Sequence, residues 1–320
     1  MPTFPPYRLG FAVKVLGGPG GKPLRTSDAR RWQSGPHLRH SIEMLDAAFD
    51  LLDARDLRVF RMSSSTVPYG THPELPEFDY RRQIDECRDQ LGALGAKARR
   101  YGIRLSTHPG QYTVLNSPDA VIAGKAAADL EQDSLLLDAL GAGPEAAVVV
   151  HVGGAYGDKR AALDRFASAH GRLSDSARAR VAVEHDERAF DLGDVVELAE
   201  RTGARAIYDL HHHRCNRAPA YESHAEAMAA AFATWPAGVR PKVHLSSPRT
   251  ELRTVRNRAA APLLDQHADF VTPWDLEELL AAAPGPVDVM VEAKAKDLAV
   301  EWLRVQLERV APELAAAEER

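Results

Sequence analysis

Ala147-Val-Val-Val-His151 and Val181-Ala-Val-Glu184-His185-Asp186 each run a short β-branched stretch into a terminal histidine or carboxylate. Apolar runs of this length, bounded by polar residues, predict strands buried on both faces. The same pattern recurs along the chain, with strands predicted at Arg8–Val13, Arg58–Met62, Ile103–Thr107, Ala147–Val152, Arg180–Glu184, Ala206–Leu210, Lys242–Leu245 and Val287–Glu292. Between them, His37–Ala54, Tyr80–Tyr101, Pro118–Leu140, Lys159–Leu173, Leu192–Thr202, Glu222–Trp235 and Pro273–Ala282 carry leucine and alanine at helical spacing. Alternating strands and helices predict a parallel α/β fold, and eight such units predict one closed (β/α)8, or TIM, barrel. A single domain over residues 1–320 is expected, with its core at about 7–307 and a helical tail at 308–320 that frays from Ala311. Asp269–Thr272, another short apolar run, is assigned to a loop.

The composition is that of a globular chain with a full core, at 45% hydrophobic and 27% charged residues. No apolar stretch reaches the roughly 18 residues of a membrane span, and MPTFPPYRLG lacks the features of a signal peptide. With two cysteines, Cys87 and Cys215, no disulfide framework exists, so a cytoplasmic protein is expected. Cys87 is expected to pack in a helix and Cys215 to be a buried loop thiol. A net charge of −5 argues mildly against a nucleic-acid partner. Yet Lys14, Lys22, Arg25, Arg30 and Arg31 crowd one loop, and Arg249, Arg253, Arg256 and Arg258 another. Such runs are usually solvated loops, and they matter only where they border a site.

The site is written in the strand ends. His108, His151, Glu184, Asp209, His244 and Glu292 fall at or near the C-terminal ends of six consecutive predicted strands. In a barrel those ends converge on the face where active sites form. A lone histidine there would be structural, but burying Glu184, Asp209 and Glu292 together demands cations. Imidazoles and carboxylates suit Zn²⁺, Mn²⁺ or similar ions, and the donors outnumber the needs of one ion. Read as a strand, His211-His212-His213 would face alternate sides, so only part of it is assigned to metal. His37, His40, His170 and His224 are expected at the surface of helices or their starts.

Arg8-Leu-Gly-Phe11, Arg61-Met-Ser-Ser64, His108-Pro-Gly-Gln111-Tyr112-Thr-Val-Leu-Asn-Ser117, His151-Val-Gly-Gly154, Glu184-His-Asp-Glu187, Asp209-Leu-His-His-His213, Lys242-Val-His-Leu-Ser-Ser247, His267-Ala-Asp-Phe270 and Glu292-Ala-Lys294 occur in this order. Together they resemble the ultraviolet damage endonuclease family, from about Tyr7 to Leu307. HPGQYTVLNSP is the specific part; HVGG and DLHHH alone would be weak.

The resemblance implies a barrel related to apurinic endonuclease IV, with three divalent ions, commonly Mn²⁺, for which Mg²⁺, Co²⁺ or Zn²⁺ are substitutes. It assigns His108 and His151 to one ion, Glu184 as a bridge, Asp209, His244 and Glu292 to a second, and His212 and His267 to a third. Asp265 is a candidate further ligand. His72 is implied to face the scissile phosphate, and Lys242 to be carboxylated beside the ions. Gln111 and Tyr112 match a pair that wedges into the duplex opposite the lesion. Phe11 stands where many relatives have tyrosine, so stacking on the lesion remains and a hydroxyl is lost. The implied reaction is ATP-independent hydrolysis of the phosphodiester immediately 5′ to cyclobutane pyrimidine dimers and 6-4 photoproducts, with abasic sites as a further substrate. The implied partner is double-stranded DNA bearing ultraviolet lesions, gripped by a monomer with no nucleotide cofactor or membrane. Two basic loops, with Lys159-Arg160, would hold backbone phosphates. A metal-dependent sugar isomerase would share the rim without a wedge, and a lesion-binding protein lacking catalysis would have lost ligands.

Overall fold

The computed structural model describes residues 4–320. Eight parallel strands form one sheet: β1 (Tyr7–Ala12), β2 (Val59–Arg61), β3 (Arg104–Thr107), β4 (Ala147–His151), β5 (Val181–Glu184), β6 (Arg205–Ile207), β7 (Lys242–Leu245) and, after a small hairpin, β10 (Val287–Val291). The hairpin strands are β8 (Arg253–Val255) and β9 (Arg258–Ala260). The sheet runs β6-β5-β4-β3-β2-β1-β10-β7, and a parallel bridge between Asp209 and His244 brings β7 back to the edge at β6. The strands therefore wrap into the expected barrel.

Helices α1 (Leu38–Ala54), α2 (Tyr80–Glu86), α3 (Arg88–Arg100), α4 (Ala120–Ala139), α5 (Lys159–His170), α6 (Asp175–Arg180), α7 (Leu192–Thr202), α8 (Leu210–Cys215), α9 (His224–Ala233), α10 (Pro273–Ala282), α11 (Asp297–Val310) and α12 (Pro312–Ala317) surround it. Most begin on a side-chain cap: Asp119 for α4, Asp158 for α5, Ser174 for α6, Asp191 for α7, Ser223 for α9 and Thr272 for α10. Each cap satisfies an amide that the first turn leaves unpaired. No helix is long and apolar enough to cross a membrane.

Strand residues alternate between two apolar layers. Tyr7, Leu9 and Phe11 join the large cluster shared with the helices. Inward-facing Ala147, Val149, Ala182 and Ile207 pack with Trp235 inside the barrel, and Ala12, Val59 and Met290 pack on the other side. At the N-terminal end of the barrel the interior is polar: Arg8 and Arg104 pair with buried Asp288 at 2.6 and 2.8 Å. Following each inward face upward leads to His108, His151, Glu184, His244 and Glu292. Gly10 lets β1 meet β2 closely, since a Cβ there would lie 2.1 Å from the Val59 carbonyl oxygen.

Several expectations are corrected. Asp209-Leu-His-His-His213 is not strand: β6 stops at Ile207, Asp209 caps α8 through the His212 amide, and the three histidines occupy helical positions. The arginine-rich Pro248–Gln266 segment contains the β8–β9 hairpin, turning at Arg256 and Asn257 with φ of 49° and 60°. Both positive values suit the two-residue turn that matches strand twist. The tail does not fray: Leu314 is fully buried, its carbonyl accepts the Tyr7 hydroxyl at 3.0 Å, and Glu318 bridges to β1. His170 is buried against Phe166 rather than exposed, because it closes the inner face of α5. Cys87 is buried as expected at the α2–α3 junction, whereas Cys215 is exposed at the end of α8.

Candidate metal centre

Glu184 ends β5 and is fully buried. Its Oε2 lies 3.1 Å from His108 Nε2 and 3.7 Å from His151 Nε2. Its Oε1 lies 2.9 Å from His244 Nδ1 and 3.3 Å from His212 Nδ1. One carboxylate thus faces two separate imidazole pairs. Ligand atoms of His108, His151 and Glu184 lie within 4.8 Å of one another, and so do those of Glu184, Asp209, His244 and Glu292. Glu292 Oε1 is 3.2 Å from His244 Nδ1, and His267 Nδ1 is 3.6 Å from Glu292 Oε2. The rings of His212 and His267 stand 5.6 Å apart beside a cavity of about 490 Å³, which Asp265 also lines. All eight expected ligands therefore share one rim. Asp265 itself pairs with Arg188 at 2.7 Å.

The electrostatics suit cations. Burial alone would raise the Glu184 carboxyl, but the surrounding His244, His151, His108 and His212 hold it well below its usual range. Burial also opposes charge on His212, yet Asp209, Glu184 and Glu292 raise it to about 11. That shift measures the negative potential of three convergent carboxylates, the same potential a divalent ion would meet. His108 is pushed down to about 4, chiefly by burial, which leaves its imidazole neutral and able to donate a lone pair. Asp209 Oδ2 and His244 Nε2 are buried with no hydrogen-bond partner among the described residues. Unpartnered buried donors and acceptors are costly, and an ion bound by them would remove that cost.

Beneath Glu184, Lys242 is fully buried and donates from Nζ to Ser106 Oγ at 3.0 Å. Burial, reinforced by Arg104 and Arg61, holds its amine well below the usual lysine range. His72 lies elsewhere: it is exposed in the loop before α2, its Nδ1 accepts the Glu74 amide at 3.3 Å, and its ring stands 6.3 Å from Tyr69. Among the described residues it makes no contact with the carboxylates. Gln111 and Tyr112 form an exposed turn above β3, with Tyr112 83% accessible. Phe11 corrects the sequence reading: fully buried, it faces the helix layer with its ring 5.4 Å from that of Phe60, so it has no free face for a base. Lys159 and Arg160 are likewise balanced by Asp194 and Glu197 on α7.

Three participants escape the sequence reading of the site. Arg61, at the end of β2, pairs with Glu292 Oε1. His185 accepts the Asp209 amide at 3.0 Å and is kept neutral by burial, which pushes it down to about 3. Lys296 lines the same cavity as His212, His267 and Glu292. A charged residue ending the RVFR run was a usable signal for Arg61. His185 stood in the polar end of a predicted strand without being given a role, and nothing local distinguished Lys296.

Residues 39–318 match the family described as UV-endonuclease UvdE. A UV DNA damage endonuclease of Bacillus cereus (strain B4264) is 32% identical over 265 residues, covering 82% of this chain and 78% of that protein. The crystal structure of SacUVDE superposes with a TM-score of 0.78 at 23% identity, covering 95% of this chain and 99% of that one. Endonuclease IV from Thermus thermophilus superposes with a TM-score of 0.55 at 17% identity, covering 96% and 100% of the two chains, and so shares the fold. The extent of the family match and the identity to the Bacillus relative lead to one assignment: this chain belongs to the UV-endonuclease UvdE family.

Proposed function

We propose that this protein is a DNA repair endonuclease that hydrolyses the phosphodiester immediately 5′ to ultraviolet lesions in duplex DNA. Cyclobutane pyrimidine dimers and 6-4 photoproducts are the intended substrates, with abasic sites as a further one. The observation that carries this reading is the placement of Glu184 between two imidazole pairs, with Asp209 and Glu292 on one side. His108, His151 and Glu184 would hold one ion, Glu184, Asp209, His244 and Glu292 a second, and His212 and His267, with Asp265 as a candidate, a third. Mn²⁺ is the proposed metal, and Mg²⁺, Co²⁺ or Zn²⁺ would substitute. When bound, the ions supply Lewis acidity toward the phosphate and acidify water for in-line attack.

The chain's own groups do the rest. Arg61 balances Glu292 and presents a guanidinium at the cavity wall. Gln111 and Tyr112 would fill the gap left when a weakly stacked lesion is extruded, tyrosine by stacking and glutamine by hydrogen bonding. His72 would reach the scissile phosphate only when the bound duplex draws its loop inward. Lys242, whose amine burial holds below the usual lysine range, would lose its proton and add carbon dioxide, releasing a second proton to give a carbamate beside the ions. Lys14, Arg25 and Arg31 form no ion pair among the described residues, and with the hairpin arginines they would hold backbone phosphates. The protein is proposed to act in the cytoplasm as a monomer and without a nucleotide cofactor.

Irradiated and untreated supercoiled plasmid, each incubated with Mn²⁺ or with chelator, test the reading. Nicking confined to irradiated plasmid with Mn²⁺ is expected. Equal nicking of both plasmids, or none, would overturn it.

A further inference from the structure

Lys296 sits at the N-terminus of α11 with φ 55° and ψ −124°. A side chain strongly disfavours this backbone conformation, because its Cβ crowds the neighbouring peptide; glycine alone accepts it readily. Such strain persists only where the surroundings over-determine it. Here they do. The next residue, Asp297, is fully buried and accepts the amides of Leu16 and Gly17 at 2.6 and 2.9 Å and the Arg55 guanidinium at 3.1 Å. The Lys296 amide donates to the Ala293 carbonyl at 3.2 Å, and its own carbonyl accepts the Ala299 amide at 3.0 Å. The loop after β10 is thus pinned on both sides of a lysine whose conformation favours glycine.

The side chain that this strain positions enters the metal-centre cavity, alongside Arg61, His212, His267 and Glu292. Lys294, its neighbour two positions back, faces Asp269 at 3.8 Å, whereas Lys296 forms no ion pair among the described residues. A structural lysine would be paired or solvated at no backbone cost. An unpaired one, held in strain at the wall of a cavity that Arg61 and Lys294 also line, fits a transient anionic partner. We propose that Lys296 is a substrate-contacting residue, donating from Nζ to a non-bridging oxygen of a DNA phosphate at the metal centre. The proposal rests on the nuclease reading for its substrate, though not for its physical signature.

Four variants separate strain from contact. Lys296→Gly and Lys296→Ala both delete the amine, but only glycine relieves the backbone. The glycine variant is therefore expected to melt above the alanine variant, although glycine gives the unfolded chain more freedom. Lys296→Met keeps the alkyl stem and removes the charge. It should lose roughly 10- to 100-fold in kcat/KM on irradiated plasmid, as for a hydrogen bond to a charged group. In duplex binding measured by anisotropy against salt, its slope of log K on log[salt] should be shallower by about one unit. Lys296→Arg should recover part of both. An alanine variant as stable as the glycine variant, or a methionine variant with wild-type slope, would overturn the proposal. A wild-type protein that shows the steeper slope yet leaves irradiated plasmid intact would sink the nuclease reading while leaving the phosphate contact standing.

Discussion

His244 Nδ1 stands 2.9 Å from Glu184 Oε1, joining β7 to β5 across 60 positions of sequence at the mouth of the barrel. The contact exists because each residue ends an inward-facing row of its own strand. It places an imidazole nitrogen and a carboxylate oxygen where a cation can be shared.

Glu184→Gln should abolish metal-dependent cutting. The amide keeps the shape but removes the charge and turns one face into a donor that repels the imidazolium or ion opposite. We expect nicking to fall by at least about 10³-fold, with bound metal reduced and the circular dichroism spectrum retained. Elemental analysis beside the plasmid assay checks this, and a variant that keeps its metal and its cutting would refute the bridging role.

Tyr112→Ala should separate recognition from hydrolysis. The ring is 83% exposed and contributes little to the core. Stacking of one base on an aromatic is worth about 1–3 kcal/mol, so the preference for irradiated over untreated duplex should drop roughly tenfold or more. Melting temperature and metal content should not move. An unchanged preference would show that the turn does not engage the lesion.

Asp129 on α4 accepts hydroxyls from both rim loops, Thr71 at 2.6 Å and Thr113 at 3.0 Å. It ties the loop bearing His72 to the one bearing Tyr112. Thr113→Val removes one strap, costing about 0.5–1.5 kcal/mol, while Thr113→Ser keeps it. Amide exchange over residues 109–114 should quicken in the valine variant alone. Equal exchange in both variants would show that the strap does not order the loop.

Asp133 on α4 gives the stability a pH signature of its own. Burial raises its carboxyl to about 7. The fold therefore retains a proton that the unfolded chain releases above about pH 3.9. Stability falls as pH rises from there to about 7, since the folded state binds more protons throughout that window. Asp133→Asn removes this titration, so its melting temperature should decline less between pH 5 and pH 8 than that of the parent protein. Parallel declines would place the proton elsewhere.

Much of this architecture was legible from local pattern. Lys242–Leu245 has the bounds read from the sequence, and the other barrel strands differ by one to three residues at an end. Apolar runs that long can only be buried, and their polar ends mark the rim. The hydrophobic period reports burial but not the turn after a strand, so DLHHH looked like strand until its aspartate proved to cap a helix. Phe11 misled for a related reason, since a family position says nothing about which layer a strand residue faces.

Strand order, parallel pairing and the convergence of carboxylates and imidazoles were thus already present in the one-dimensional pattern, because alternation and burial are local properties. The pairing of Arg61 with Glu292, the strained lysine at the head of α11 and the docking of the C-terminal tail on β1 belong to the tertiary structure. They depend on contacts between residues hundreds of positions apart, whose meeting is set by the shear of the sheet and the packing of helices around it.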